Sequence, residues 1–303
     1  MVDLAPPREA FGLLGGSVIQ AVFRGFYADY PERLFMEDGK KRLSPALIAG
    51  GTVLIAAFAV FFVHPLLSAA VLSLYVGLCV ASCFFPQTNF LGPVISRGRT
   101  GKNVVALTFD DGPFEASTEK ILALLDRHDA KATFFVSGVN AARCPNLIRE
   151  VIRRGHTIGN HSMSHDPFLM LKGNRTLQRE IVEAGEVLRK MGIEALAFRP
   201  PVGIVNPKLF PILKAEGLFC ATFSCRARDA GNRRIRNLSG RILQKIKGDD
   251  IVLLHDRPSQ GSDDPDVLWD EMEKILAGIR ARGLKIVSLA ELAGRDVMRL
   301  KSL

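Results

Sequence analysis

Between Arg42 and Arg97 the chain contains no Asp, Glu, Lys or Arg. An uncharged stretch of that length must be buried, either in protein or in lipid, and so it constrains the fold more than any other feature. Within it, residues 46–63 and 66–85 are each close to the length a helix needs to cross a hydrocarbon core of about 30 Å. His64-Pro65 separates them, and proline ends or kinks a helix because it lacks a backbone donor and collides with the preceding turn. The pattern predicts a two-helix transmembrane hairpin over 44–86, with a buried core hairpin of a soluble protein as the alternative. A cleaved signal peptide fits poorly, since the apolar stretch starts only after Arg42, is too long and lacks a small-residue cleavage site.

A hairpin returns the chain to the side it came from. Lys40-Lys41-Arg42 precede the first span and Arg97, Arg99 and Lys102 follow the second, so the positive-inside bias assigns both flanks to the cytoplasm. Ahead of the hairpin, residues 1–43 carry Phe11, Leu14, Val18, Val22, Phe26 and Tyr30 at near-helical spacing, a stripe that suits either a packing face or the membrane interface. Residues 87–102, with Pro93, read as a linker. The net charge of +9 is spread among acids apart from a few arginine clusters, and no nucleic-acid-binding motif accompanies it. Attraction to anionic membrane lipids accounts for it better, and no nucleic-acid partner is expected. Five cysteines without a disulfide-like pattern agree with a reducing compartment.

From Asn103 to the end, over 103–303, apolar runs of strand length alternate with amphipathic segments of helix length. Strands are expected at 104–109, 131–136, 156–159, 196–199, 220–224, 251–255 and 285–289. Helices are expected at 176–191, 207–215, 238–246 and 267–281, and in a first helix that Ser117 or Thr118 would cap. Alternation of this kind gives parallel strands with helical crossovers. The residues with chemical potential fall at strand C-terminal ends, where the active-site loops of a barrel collect. The fold class predicted is α/β, a distorted (β/α) barrel with fewer than eight repeats, behind the helical hairpin.

Those residues begin with Thr108-Phe109-Asp110-Asp111-Gly112-Pro113, then His161-Ser162-Met163-Ser164-His165, and finally His255 after the apolar run 251–254. One carboxylate and two imidazoles make a three-ligand metal set with open positions for water and substrate. His161 and His165 can reach one ion from a helical turn or from a tight loop. Two adjacent carboxylates repel, and a cation resolves the conflict by binding one and leaving the other beside the water it activates. The free carboxylate then takes the proton of that water, and His255 is the obvious acid for a leaving amine.

Residues from about 103 to 290 resemble the NodB-homology polysaccharide deacetylases, carbohydrate esterase family 4. Thr108–Pro113 stands as the family's TFDDGP motif, His161–His165 as H-[ST]-x-x-H, Arg199-Pro200-Pro201-Val202-Gly203 as R-x-P-x-G, and Leu253-Leu254-His255 as L-x-H. The resemblance implies Asp110 as general base, Arg199 as its ionic partner, and Asp111, His161 and His165 as ligands of one divalent metal ion. Zinc is expected there, with cobalt, nickel, manganese and iron also suited to such a donor set. It implies a Val202 backbone amide for the oxyanion, with Pro201 and Leu253 lining the pocket, and His255, tuned by Asp229, as the acid.

The chain departs from the family at Ala230, where an aromatic residue usually walls the pocket, and at Val202, which often has an aromatic in its place. Arg226, Arg228, Arg233 and Arg234 crowd the same stretch, as a solvated basic loop or as a phosphate contact. The expectation is metal-dependent hydrolysis of an N-acyl group, N-acetyl above all, from an amino sugar. A two-pass protein of a bacterial-type inner membrane with a cytoplasmic catalytic domain would meet that sugar on a polyprenyl phosphate. The alternatives are an extracytoplasmic peptidoglycan or exopolysaccharide deacetylase, and a non-catalytic descendant that binds sugar or lipid.

Overall fold

Two apolar helices, α1 (Pro45–Phe61) and α2 (Pro65–Phe84), open the computed structural model, which describes residues 43–258 and 266–301. The expected amphipathic stripe before residue 43 lies outside the described residues. The two helices run antiparallel: the Tyr75 hydroxyl donates to the Ala46 carbonyl and the Ser68 hydroxyl to the Ala57 carbonyl, each at 2.7 Å. Gly50 permits the approach, because a Cβ there would lie 2.5 Å from the Tyr75 hydroxyl. Pro65 occupies the first turn of α2, where a missing N–H leaves no bond unmade. Leu54, Ile55, Phe58, Leu66 and Leu74 keep their side chains exposed along the outside. Among the described residues α2 alone, about 30 Å long at 1.5 Å per residue, has the length and apolarity of a membrane span. With 17 residues α1 is about 26 Å, so the helical hairpin exists but its first arm is shorter than the sequence pattern suggested.

The stretch 87–102 is not a linker. Phe90 and Leu91 are buried, Asn89 Oδ1 accepts the Val94 N–H at 2.6 Å, and β1 (Val94–Ile95) pairs in parallel with a strand of the main sheet. From Pro45 onward the described residues accordingly form one compact unit.

In chain order the sheet continues with β2 (Val104–Asp110), helix α3 (Glu115–Arg127), β3 (Ala132–Val136), helices α4 (Gly138–Arg143) and α5 (Pro145–Arg153), and β4 (Thr157–Asn160). After α6 (Asn174–Arg189) come β5 (Ile193–Ala195) and β6 (Ala197–Phe198), then α7 (Leu209–Ala215), β7 (Phe219–Ala221) and β8 (Cys225–Arg226). The chain ends with α8 (Leu238–Leu243), β9 (Ile251–His255), α9 (Val267–Ala281), β10 (Lys285–Val287), α10 (Leu289–Ala293) and β11 (Met298–Leu300). Among the described residues the main sheet has nine strands in the order β1-β7-β6-β4-β3-β2-β9-β8, with β10 on the first half of β2, and all its pairings are parallel. The outlying β5 and β11 pair antiparallel. The result is a curled parallel half-barrel. Just past β1 the backbone bridges to the start of β9, with the Gly98 N–H donating to the Asp249 carbonyl at 2.8 Å and Arg97 paired with Asp250. That crossing ties one end of the sheet towards the other.

Every residue of β2 is buried, as a strand covered on both faces must be. Its odd positions, Val105, Leu107 and Phe109, join the outer core under α3, α5 and α9. Its even positions start with Val104 and Ala106 in the inner core with Phe135 and Ile251. Since side chains alternate along a strand, Thr108 and Asp110 continue the inner face. Parity alone thus carries the first motif into the barrel interior.

One capping expectation is corrected. Phe114 takes the N-cap position of α3, while Ser117 and Thr118 lie inside the helix and are fully buried. Their hydroxyls donate instead to the two carboxylate oxygens of Asp256, at 2.7 and 2.6 Å.

Candidate active site

Register brings the motifs to one rim. Asp110 lies opposite His255 across β2 and β9, Val136 opposite Asn160 across β3 and β4, and Asn160 opposite Phe198 on β6. The next residues, Asp111, His161 and Arg199, therefore leave adjacent strands at the same level.

Arg199 is fully buried and organises the interior. Its guanidinium donates to Asp110 Oδ1 at 2.6 Å, to the Thr108 hydroxyl at 2.8 Å and to the Thr222 carbonyl at 2.9 Å, and it stacks 4.0 Å over the Phe135 ring. Thr108 in turn donates to the Val252 carbonyl of β9 at 2.7 Å. A buried charge pair adds little net stability, but removing one member strands the other at a cost of about 3–5 kcal/mol. This pair therefore fixes the orientation of Asp110.

Asp111, at φ 81°, is held in the left-handed region that non-glycine residues avoid. Its Oδ1 lies 2.9 Å from His165 Nε2 and 3.6 Å from His161 Nε2, and its Oδ2 is 3.5 Å from the Arg257 guanidinium. Burial pushes the Asp111 carboxyl up. The His161 and His165 imidazoles, helped by the charge of His255, outweigh that and hold it well below the usual range. Of the two geometries open to His161–His165, the structure has the tight loop, with Ser162 at φ 67° and His165 at φ 54°. The loop is pinned where the Gly138 and Val139 N–H groups donate to the Ser162 and Met163 carbonyls, at 2.9 and 3.0 Å. His161 Nδ1 is 2.7 Å from the Arg199 carbonyl, an acceptor that a proton on Nδ1 satisfies, and Nε2 faces the carboxylates. Among the described residues that buried Nε2 has no hydrogen-bond partner. Donor atoms of Asp111, His161 and His165 lie within 4.8 Å of one another, and the unpaired nitrogen is what a cation there would satisfy.

His255 ends β9 with Nδ1 2.8 Å from Asp229 Oδ2. Burial pushes the imidazole down, but the bond and charge of Asp229, with Asp111 and Asp110 beyond it, win and raise its pKa. Asp229 moves the other way: burial raises it, and His255 more than compensates. Val202 sits on a short turn at φ 55°, just after Arg199 in the chain, with Pro201 buried beside it; Leu253 is buried in β9.

Two further residues complete the site and carry no motif of their own. Asn232 donates its backbone N–H to Asp229 Oδ2 at 3.1 Å and its amide to the His255 and Arg257 carbonyls at 3.0 and 2.8 Å, so it holds the whole His255 strand end. Asp256 supports the carboxylate loop from below. Its N–H donates to the Asp110 carbonyl at 2.8 Å, and its carboxyl leaves no room for a Cβ on Gly112, which would lie 2.2 Å away. Burial pushes its pKa up to about 7 against the pull of the Thr118 and Ser117 hydroxyls. The only signal for either in the sequence is adjacency to a motif, Asp256 next to His255 and Asn232 close after Asp229.

Residues 97–221 match the family model for polysaccharide deacetylase. The chain is 33% identical over 193 residues to a peptidoglycan-N-acetylglucosamine deacetylase of Bacillus cereus, covering 63% of this chain and 88% of that protein. The chain belongs to the NodB-type polysaccharide deacetylases, carbohydrate esterase family 4. Another relative in the family, a chitooligosaccharide deacetylase of Sinorhizobium fredii, is 36% identical over 172 residues, covering 56% of this chain and 79% of its own. Among solved family structures, the Bc1960 peptidoglycan N-acetylglucosamine deacetylase superposes with a TM-score of 0.61 at 28% identity, over 68% of this chain and 95% of that one. The family model matches within the half-barrel and does not reach the apolar hairpin.

Proposed function

We propose that this chain is a metal-dependent N-deacetylase that removes an acetyl group from an amino sugar presented at the membrane. The observation that carries the reaction is the split of the two carboxylates: Asp110 is tied to buried Arg199, whereas Asp111 lies 2.9 Å from His165 Nε2 and shares the approach of His161 Nε2. A divalent ion held by Asp111, His161 and His165, zinc or one of the metals that accept this donor set, would polarise the amide carbonyl and acidify the attacking water. Asp110, held in place by Arg199, takes the proton as that water adds to the carbonyl carbon. The Val202 amide is the donor for the developing oxyanion. Protonated His255, whose charge Asp229 favours, gives its proton to the nitrogen as the C–N bond breaks, releasing acetate and the free amine.

The membrane-borne substrate is supported by the exposed apolar hairpin, by its basic flanks, and by Ala230 in place of a pocket aromatic. The arginines around Asp229 suit a phosphate on such a carrier. A polyprenyl-phosphate-linked N-acetyl sugar at the cytoplasmic leaflet meets all of these. The alternative, a polymer outside the cell, is favoured by the names of the relatives, which act on peptidoglycan and chitooligosaccharides. Mass spectrometry of polyprenyl-linked sugars from cells with and without the chain separates the two. Accumulation of an N-acetylated species in its absence is expected. An unchanged lipid pool with a more acetylated wall polymer would move the reaction outside, as would a reporter at Leu303 that reads an extracytoplasmic C-terminus.

A further inference from the structure

We propose that the rim of the active site formed by Phe168, Leu171 and Val202 docks into the headgroup–acyl boundary of the bilayer, so that the site opens onto the membrane surface. The inference rests on the hairpin being a membrane anchor and adds where the catalytic rim sits relative to it.

The hairpin is joined to the active-site loops by backbone. The Val205 N–H, in the loop that follows Arg199 and Val202, donates to the Cys83 carbonyl in the last turn of α2 at 3.1 Å. At the other arm the Ala46 N–H donates to the Phe90 carbonyl at 3.0 Å. The same loop grips the segment after His165: buried Asn206 donates to the Met170 carbonyl at 2.6 Å, and Lys208 Nζ donates to the Lys172 carbonyl at 2.7 Å. The membrane-proximal end of α2, the oxyanion turn and the chain just past the second histidine thus form one bonded block.

That block exposes apolar side chains. Beyond Phe84, the exposed large hydrophobics among the described residues are Phe168, Leu171, Val202 and Leu300, and the first three all belong to it. Scattered exposed apolar residues are ordinary, but three of four gathered at one rim are not. Local geometry aims two of them together. Leu169–Leu171 is a 3₁₀ turn, in which residues three apart eclipse, so Phe168 and Leu171 share its outer face while Leu169 and Met170 are buried. Exposed Arg175 and Lys172, the latter 3.4 Å from Asp166, lie just beyond, cations of the kind an anionic headgroup layer attracts. An apolar tip with basic neighbours, bonded to the foot of an apolar hairpin, fits a lipid surface.

The chain's single tryptophan, Trp269, lies on α9 and makes a clean fluorescence test possible. Leu171→Trp, and separately Phe168→Trp, are placed in a Trp269→Phe background. Phe58→Trp in the same background reports on the hairpin. The full chain is reconstituted in phosphatidylethanolamine–phosphatidylglycerol vesicles with and without bromine-labelled phosphatidylcholine. The proposal expects the hairpin and rim tryptophans to be quenched by the bromolipid, and Trp269 of the unsubstituted chain to be spared. Quenching of Phe58→Trp while both rim tryptophans stay bright would overturn the docking and leave the anchor intact. Loss of quenching at Phe58→Trp as well would overturn the anchor itself. Equal quenching at Trp269 and the rim would show that the rim has no special place at the surface, and would also overturn the proposal.

Discussion

His156 and His161 stand at the two ends of the same short strand, β4, and each has a buried Nε2 with no hydrogen-bond partner among the described residues. They differ in everything around that nitrogen. His156, at the N-terminal end, accepts the Ala132 N–H through Nδ1 at 3.2 Å and sets its ring against Phe134 in the outer core. Its charged neighbours are the cations Lys131 and Arg154 and the single carboxylate Asp126. His161, at the C-terminal end, turns its Nε2 to Asp111 at 3.6 Å and Asp110 at 3.7 Å. A lone unpaired nitrogen is therefore not a metal site. What makes one is the convergence of carboxylates at the strand C-terminal ends, where this architecture gathers its loops, while the opposite ends serve stability.

The largest effect expected at the reactive end is that of Asp110→Asn. It keeps the shape and removes the base, so kcat should fall about a thousandfold, within the range general-base loss commonly gives. Metal content by inductively coupled plasma mass spectrometry should hold, because Asp110 is assigned the proton and not the ion. A variant as active as the parent would sink the assignment. His161→Ala should come next. Loss of an outer-shell partner costs about 10–100-fold in metal affinity, and loss of a ligand should exceed that in a competition titration with a chelator. Unchanged affinity would erase the difference between the two ends of β4.

Much of this rim is legible in the chain before folding. The motifs that end β2 and β9 close apolar runs of strand length, and the strand Ile251–His255 and the helix Val267–Ala281 fall where periodicity places them. What periodicity misses is contact between distant segments. Ser117 and Thr118 read as caps because a hydroxyl before a helix is a local signal, yet the partner that claims them, Asp256, is 139 and 138 residues away. Residues 87–102 read as a linker because Pro93, with Pro86 just before it, and a polar run obscure Val94–Ile95, a strand too short to show alternation and recognisable only by its pairing with β7. Asn232 has the same character: a polar residue in an arginine-rich loop whose role is set by the His255 and Arg257 carbonyls it holds.

Asp229→Asn should have a smaller effect, tens-fold in kcat, and a more specific one. Asp229 raises the pKa of His255, and the mechanism needs His255 protonated. Removing the carboxylate lowers that pKa, so the basic limb of the pH–kcat profile should move to lower pH while metal content stays the same. A drop in rate with no movement of the limb would make Asp229 a packing residue only.

The smallest effect on catalysis, and the sharpest contrast, belongs to His156→Leu. Activity per folded molecule and metal affinity should match the parent, because nothing at that end of β4 touches the rim. Stability should not match. The Ala132 N–H loses its acceptor, at a cost of about 1–3 kcal/mol for a buried unsatisfied donor. The pH dependence is the diagnostic part. Burial, with Lys131 adding to it, pushes the folded-state pKa of His156 down from 6.5 to about 4. The unfolded chain then binds a proton that the folded chain refuses, so the stabilisation is complete above pH 6.5 and drains away as pH falls towards about 4. Urea midpoints measured from neutral pH down to about pH 4.5 should show the parent losing stability faster than His156→Leu, with the gap between them closing as the solution is acidified. Parallel curves would mean that the imidazole is not held neutral, and that the two ends of β4 are more alike than their surroundings imply.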